Sequence, residues 1–303
     1  MKGIRNIIDG KSAFQAADLS DILMPVSDEE REKLQQLLVE IYKDILSFCG
    51  KNNWTPYLVG GSALGAIRHK GFIPWDDDLD LGMMREEYNA FLDAFEKEYA
   101  EKYIVNAPGK GSQVKARFAK IIRKGTLFQE FLAVPDDAQN GVFVDIFPID
   151  HAPDSLLIRG IQGVKTDCLA YISSQVFSYY YRNRDYTEAL KRTGRINYFV
   201  RTIIGAVFGV KNPDWWFARY DKSAQCHQNR ALCCTIAAGR KHYFGEVMER
   251  AKIEPPRYVD FCDIKAPVFN DVEAYLSHMY GDYMEIPPEN KREKHYIVRM
   301  KVY

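Results

Sequence analysis

Residues 58–81 read LVGGSALGAIRHKGFIPWDDDLDL. This stretch carries the fold and the chemistry together. Tyr57-Leu58-Val59 is a short apolar run suited to a strand. Gly60-Gly61 then breaks it, Ser62 follows, and ALGAIRHK has helical spacing. Strand, glycine turn and helix start form a unit that brings backbone N–H groups close to an anion, with a serine hydroxyl beside them. Arg68, His69 and Lys70 add cations. Asp78 and Asp80 flank Leu79, and a strand carrying them would turn both carboxylates to one face and the leucines to the other. Like charges that close repel on a half-buried strand, so the pair is expected to hold one or two hard cations. Asp76 and Asp77 add charge at the strand's entrance.

Working outward, SDEEREKLQQLLVEIYKDILSFCGKNN (27–53) predicts a helix opened by a Ser27–Glu30 capping box. Its apolar positions are Leu34, Leu37, Leu38, Ile41, Ile45 and Phe48, and Gly50 is the expected stop. After the acid pair, REEYNAFLDAFEKEY predicts a second scaffold helix. Strand-like segments follow near 103–106, 116–123, 127–134 and 142–149. The last holds Asp145 in VFVDIFPID, a carboxylate among apolar neighbours that is costly to bury unless paired or metal-bound. If that strand lies beside Asp80, three acids converge, which suits Mg²⁺. Asp150 is read as structural.

These elements predict an α+β protein: a mixed unit on a small sheet (1–150), a mostly helical region rich in aromatics (151–255), and a C-terminal segment returning to the core (256–303). The chain has 303 residues, 47% of them hydrophobic, and 41 basic against 41 acidic residues, for a formal net charge of zero. Zero net charge argues against a dedicated nucleic-acid binder, and the apolar content argues against disorder. No run reaches the length of a spanning helix. The N-terminus lacks a signal-peptide core and the six cysteines make no disulfide framework, so a cytoplasmic location is expected. The basic amphipathic stretch 192–211 would suit peripheral contact with the inner membrane face if the acceptor is lipid-linked, although core packing is the simpler reading.

The stretch GGSALGAIRHKGFIPWDDDLDLGMMREEYNAF (60–91), with KIIRKGT (120–126), FVDIFPID (143–150) and YGDYMEIPPENKREKH (280–295), resembles the LicD family. The family is related to the fukutin group and has a nucleotidyltransferase-type fold. The resemblance implies transfer of a phosphocholine or phospho-alditol group from a CDP-linked donor to a sugar hydroxyl of a cell-surface glycan, with Mg²⁺ or Mn²⁺. It assigns Gly60, Gly61 and Ser62 to the donor phosphates, Arg68 and Lys120 to the diphosphate, and Asp78, Asp80 and Asp145 to metal and catalysis. Asp145 is one candidate base for the acceptor hydroxyl. Tyr283 and His295 fall in a C-terminal motif of the site.

Three other readings stay open. One is a nucleotidyltransferase that releases pyrophosphate. Another is a non-catalytic nucleotide binder. The third is a Ca²⁺ loop on Asp76, Asp78, Asp80 and Glu87, which lacks its glycine because Leu81 stands there. Cys226, His227, Cys233 and Cys234 do not have zinc spacing, and buried thiols are the expected reading.

Overall fold

The computed structural model describes residues 26–130, 132–225, 231–288, 292 and 297–302. The first element is α1 (Asp28–Asn52), opened by the expected capping box: Ser27 N donates to Glu30 Oε2 at 3.0 Å and Glu30 N to Ser27 Oγ at 3.2 Å. Its stop differs from the expected Gly50. The helix runs two residues further, and Asn53 ends it in the left-handed region at φ 57°, a conformation asparagine tolerates better than most side chains.

Then come β1 (Tyr57–Leu58), α2 (Gly60–His69), β2 (Asp80–Met84), α3 (Arg85–Glu98), β3 (Tyr103–Asn106), β4 (Ala119–Arg123), β5 (Leu127–Glu130) and β6 (Phe143–Ala152). The sheet order is β1-β2-β6-β4-β3. The pair β2–β6 is parallel and the others along this path are antiparallel. This is the mixed sheet expected of an α+β core.

The strand β6 is longer than its apolar run implies. Its far end pairs with β7 (Cys233–Thr235), Asp150 lying opposite Thr235, and β7 in turn pairs with β8 (Met248–Glu249). Between them lie α4 (Leu156–Tyr180), α5 (Arg184–Arg192), α6 (Arg195–Phe208) and α7 (Pro213–Ala224), with the short α8 (His242–Gly245) ahead of β8. The chain closes with α9 (Arg250–Ile253), the hairpin β9 (Arg257–Phe261)–β10 (Ile264–Val268), α10 (Val272–Tyr280) and β11 (Ile297–Lys301), which pairs with β5. Helix α10 stops at Tyr280, where Gly281 takes φ 74°.

One large core joins the buried face of α1 (Leu34, Leu38, Ile41, Tyr42, Ile45, Phe48) to the sheet, α3, the β9–β10 hairpin and α10. A second, smaller cluster ties the helical region to the core through Ala170, Tyr220, Ala224 and Tyr243, with Phe147 of β6 packed against it. A buried ion pair pins the same joint. Arg85 grips Asp150 with two hydrogen bonds of 2.6 and 3.0 Å and reaches Asp221 of α7 at 2.8 Å. Asp150 is thus structural: one guanidinium fastens α3, β6 and α7.

Candidate active site

The site is built on the segment from β1 to β2. Val59 precedes α2 and gives it no side-chain cap, so the first-turn amides of that helix are not satisfied from within it. Gly60 begins the helix at φ 55°, and there a side chain would also sit 3.1 Å from an Asp80 carboxylate oxygen. A Cβ on Gly61 would meet Asp76 Oδ2 at the same 3.1 Å. The two glycines therefore allow two carboxylates to lie directly on the helix start. The expected glycine turn is this first helical turn. Gly60 N donates to Tyr275 Oη of α10 at 3.0 Å, and Ser62 Oγ accepts from Asp80 N at 2.9 Å. Ser62 is buried and holds the entrance of β2.

The acids follow from the chain path. Asp80 is the first residue of β2, and Asp78 lies in the extended lead-in just before it. Leu79 between them and Leu81 after them are fully buried. Asp80 pairs in parallel register with Asp145 of β6, so these two acids from separate stretches are neighbours. Asp76, Asp77 and Asp78 each bring one carboxylate oxygen within 4.8 Å of the others, an all-oxygen set of the kind hard divalent cations take. A pocket of about 450 Å³ opens on this end of the sheet. Gly60, Gly61, Arg68, Asp76, Asp78 and Asp80 line it. So do Arg240, Glu246, Tyr275, Tyr280, Asp282 and Tyr283 from the later part of the chain.

The remaining expected residues fall around this pocket. Arg68 lines it, and its Nη1 donates to the carbonyl oxygens of Tyr283 (2.8 Å) and Glu285 (3.2 Å). That ties the chain after α10 to α2. Lys120 and Asp145 are buried behind the pocket wall, Nζ to Oδ1 at 3.0 Å and Oδ2 at 3.3 Å. Lys120 lies across from Asp145 on β4, over the Phe143 ring at 3.3 Å, with Glu130 at 3.7 Å. Burial pushes the Asp145 carboxyl up to about 6, against the opposing pull of Lys120. His295 lies outside the described residues, as does Cys226. Cys233 and Cys234 sit on β7, the latter buried with Sγ 3.9 Å from His151 Nδ1.

Sequence reasoning did not single out Arg240, Glu246 or Tyr275. Glu246 is 1% exposed. Its Oε1 accepts from Lys241 N at 3.0 Å, and its Oε2 has no hydrogen-bond partner among the described residues. Burial raises its carboxyl to about 7. Only its place in a Gly-Glu pair after an aromatic run marks it in the sequence, and that is no signal by itself.

An anion-ready helix start, a bank of acids across one pocket and a mixed sheet beneath them describe a nucleotidyltransferase-type domain. Residues 53–158 match the sequence model of the LicD/FKTN/FKRP nucleotidyltransferase domain, a span that runs from before β1 past the end of β6. With the longer match below, this part of the chain is similar to the LicD family. Over 255 residues it is 28% identical to the lipopolysaccharide cholinephosphotransferase LicD of Haemophilus influenzae, covering 83% of this chain and 90% of that protein. Shorter matches reach uncharacterized proteins of Rickettsia typhi, 45% identical over 56 residues (18% of each chain), and Rickettsia prowazekii, 46% identical over 50 residues (16% of this chain, 19% of that protein).

Proposed function

We propose that the protein is a metal-dependent transferase that moves a phosphocholine-like or phospho-alditol group from a CDP-linked donor to a sugar hydroxyl of a cell-surface glycan. The acceptor class is taken from the Haemophilus relative, whose name specifies lipopolysaccharide. One observation carries the reading: Asp76, Asp78 and Asp80 share a pocket with the uncapped first turn of α2.

The donor diphosphate binds at that first turn, where backbone N–H groups and the positive end of the helix favour negative charge. Arg68 lends positive charge from the pocket wall while it holds the Tyr283–Glu285 segment against α2. Asp78 and Asp80, with Asp76 beside them, are the acids that would hold Mg²⁺ or Mn²⁺. A bound divalent cation neutralises the diphosphate and stabilises the departing CMP. Asp145 is the third acid of the group. Its ion pair with Lys120 lets it stand beside Asp80 without the full repulsion of two neighbouring carboxylates. The acceptor hydroxyl attacks the distal phosphorus and gives its proton to a carboxylate of the site, while the bond from that phosphorus to the bridging oxygen breaks and the nucleotide leaves as CMP.

The test is product analysis with CDP-choline, CDP-ribitol or CDP-glycerol and a glycan acceptor, with and without Mg²⁺. Free CMP and a phosphodiester-bearing glycan are expected only with metal. Pyrophosphate from CTP in their place would identify a nucleotidyltransferase. Undiminished turnover by both Asp78→Ala and Asp80→Ala would remove the acids from the chemistry.

A further inference from the structure

Helix α6 leaves an apolar stripe uncovered. Ile196, Phe199, Ile203 and Val207 recur at helical spacing and are between 49% and 71% exposed, and Val210, just past the helix end, is 84% exposed. The opposite face of the helix is the packed one. Asn197, Arg201 and Gly205 are buried there. Arg201 Nη1 donates to Gln175 Oε1 of α4 at 3.2 Å. A Cβ on Gly205 would lie 2.5 Å from Tyr179 Cβ, so α4 and α6 are in close contact. Core packing, the simpler reading of 192–211, therefore accounts for one face of this helix and not for the stripe. The first turns of α4 add Leu156, Leu157, Ile158, Ile161 and Val164, all 58% to 78% exposed.

The stretch of chain that carries the stripe has charges of one sign, although Glu188 just before it sits 3.6 Å from Lys191. Between Glu188 and Asp214 there is no acidic residue, while Lys191, Arg192, Arg195, Arg201 and Lys211 are basic. Four of these are exposed, three before the stripe and one after it, and Arg201 is buried. In a chain of zero net charge this is a marked local excess. Just beyond the stripe, Trp215 is part-exposed, the kind of residue that sits at the headgroup level of a bilayer. The helix spans about 21 Å, too short to cross a bilayer of about 30 Å, and no helix among the described residues is long and apolar enough to do so. Two copies meeting stripe to stripe would bring basic ends together with no acid between them.

We propose that the exposed face of α6, with the aliphatic first turns of α4, seats the protein on an anionic lipid surface. Aliphatic side chains enter the acyl boundary, and Lys191, Arg192, Arg195 and Lys211 meet lipid phosphates. The value of this seat to the enzyme, proximity to a lipid-linked acceptor, rests on the function proposed above. The docking itself does not.

The experiment is flotation of the full chain with vesicles of equimolar phosphatidylglycerol and phosphatidylcholine, and with phosphatidylcholine alone, without any substrate. Binding is expected to the anionic vesicles and to weaken with salt. Ile203→Glu/Val207→Glu should lower it by at least about tenfold, since two aliphatic anchors are lost and two negative charges gained. Lys191→Glu/Arg192→Glu should do the same through charge alone, a second route if the first variant folds poorly. CMP release with a water-soluble acceptor should stay at the wild-type level in both. No binding of the wild type to anionic vesicles at low salt, or equal binding by the well-folded variants, overturns the proposal. So does a dimer in light scattering that the α6 variant abolishes, because a second copy would then cover the stripe. Turnover is measured separately, so failed docking leaves the transferase reading standing, and failed turnover leaves docking standing.

Discussion

The two ends of β6 each bury a carboxylate, and each is balanced differently. At the far end, Asp150 meets a guanidinium edge-on through two hydrogen bonds, and Arg85 extends its remaining nitrogen to Asp221. At the near end, Asp145 has a single lysine ammonium for a partner and more acids close by, with Asp80 beside it in register and Asp78 adding to its electrostatic burden. The Arg85 joint is closed: planar groups are matched and held. The near end gathers more negative charge than Lys120 alone offsets, which is the condition for drawing in a cation. The two acids thus differ on one strand by the company they keep, not by depth of burial.

Breaking the closed end should have the largest effect. Arg85→Met strands Asp150 and is expected to cost about 3–5 kcal/mol of stability, read as a shifted denaturation midpoint, whereas the double change Arg85→Met/Asp150→Leu should recover part of it. At the near end the effect should appear in chemistry. Asp80→Asn is expected to lower CMP release by about 10²–10³-fold with little change in the midpoint. If Asp80→Asn unfolds the protein instead, the contrast between the two ends fails.

Glu246 sharpens the comparison as a buried acid whose Oε2 is unpaired. Its carboxyl is raised to about 7 from an ordinary 4.5, so the folded state holds a proton the unfolded state has already lost. Stability from this group is therefore full below pH 4.5 and is lost as pH rises through 7. Against Glu246→Gln, which keeps the oxygen that accepts from Lys241 N, the wild type should lose up to about 3 kcal/mol between pH 4.5 and 8, measured by denaturant titration across that range. The smallest effect lies away from both ends of β6: Ser27→Ala removes the α1 cap and should cost about 1 kcal/mol with turnover unchanged.

What could be read in the sequence was what is local. The Ser27–Glu30 box, the apolar period of α1 and the order strand, Gly-Gly, helix, strand from Tyr57 to Leu81 each declare themselves within a few residues. The β6 partnership of Asp80 and Asp145 was an inference from the cost of burying Asp145 alone. Other features were hidden because their causes are distant. The chain brings Arg240, Glu246 and Tyr275 to the pocket from more than 150 residues beyond Gly60, and no spacing rule spans such a gap. The extension of β6 depends on β7, some 80 residues later. The end of α1 at Asn53 was hidden for another reason: Gly50 and Asn53 are both acceptable stops, and it is Asn53 that takes the left-handed cap, its N–H bonded to Cys49 O.

The hydrogen bond from Gly60 N to Tyr275 Oη has a consequence for how the protein comes into being. The first turn of α2 is made well before α10, and its first amide receives its partner only after 215 more residues have been made. Arg68 likewise waits for Tyr283 and Glu285. A nascent chain therefore carries its acids and its glycines long before the pocket around them is closed. The residues from α10 onward complete its lining, so a fragment cut short before α10 would keep Gly60, Asp78 and Asp80 yet lack Tyr275, Tyr280 and Tyr283.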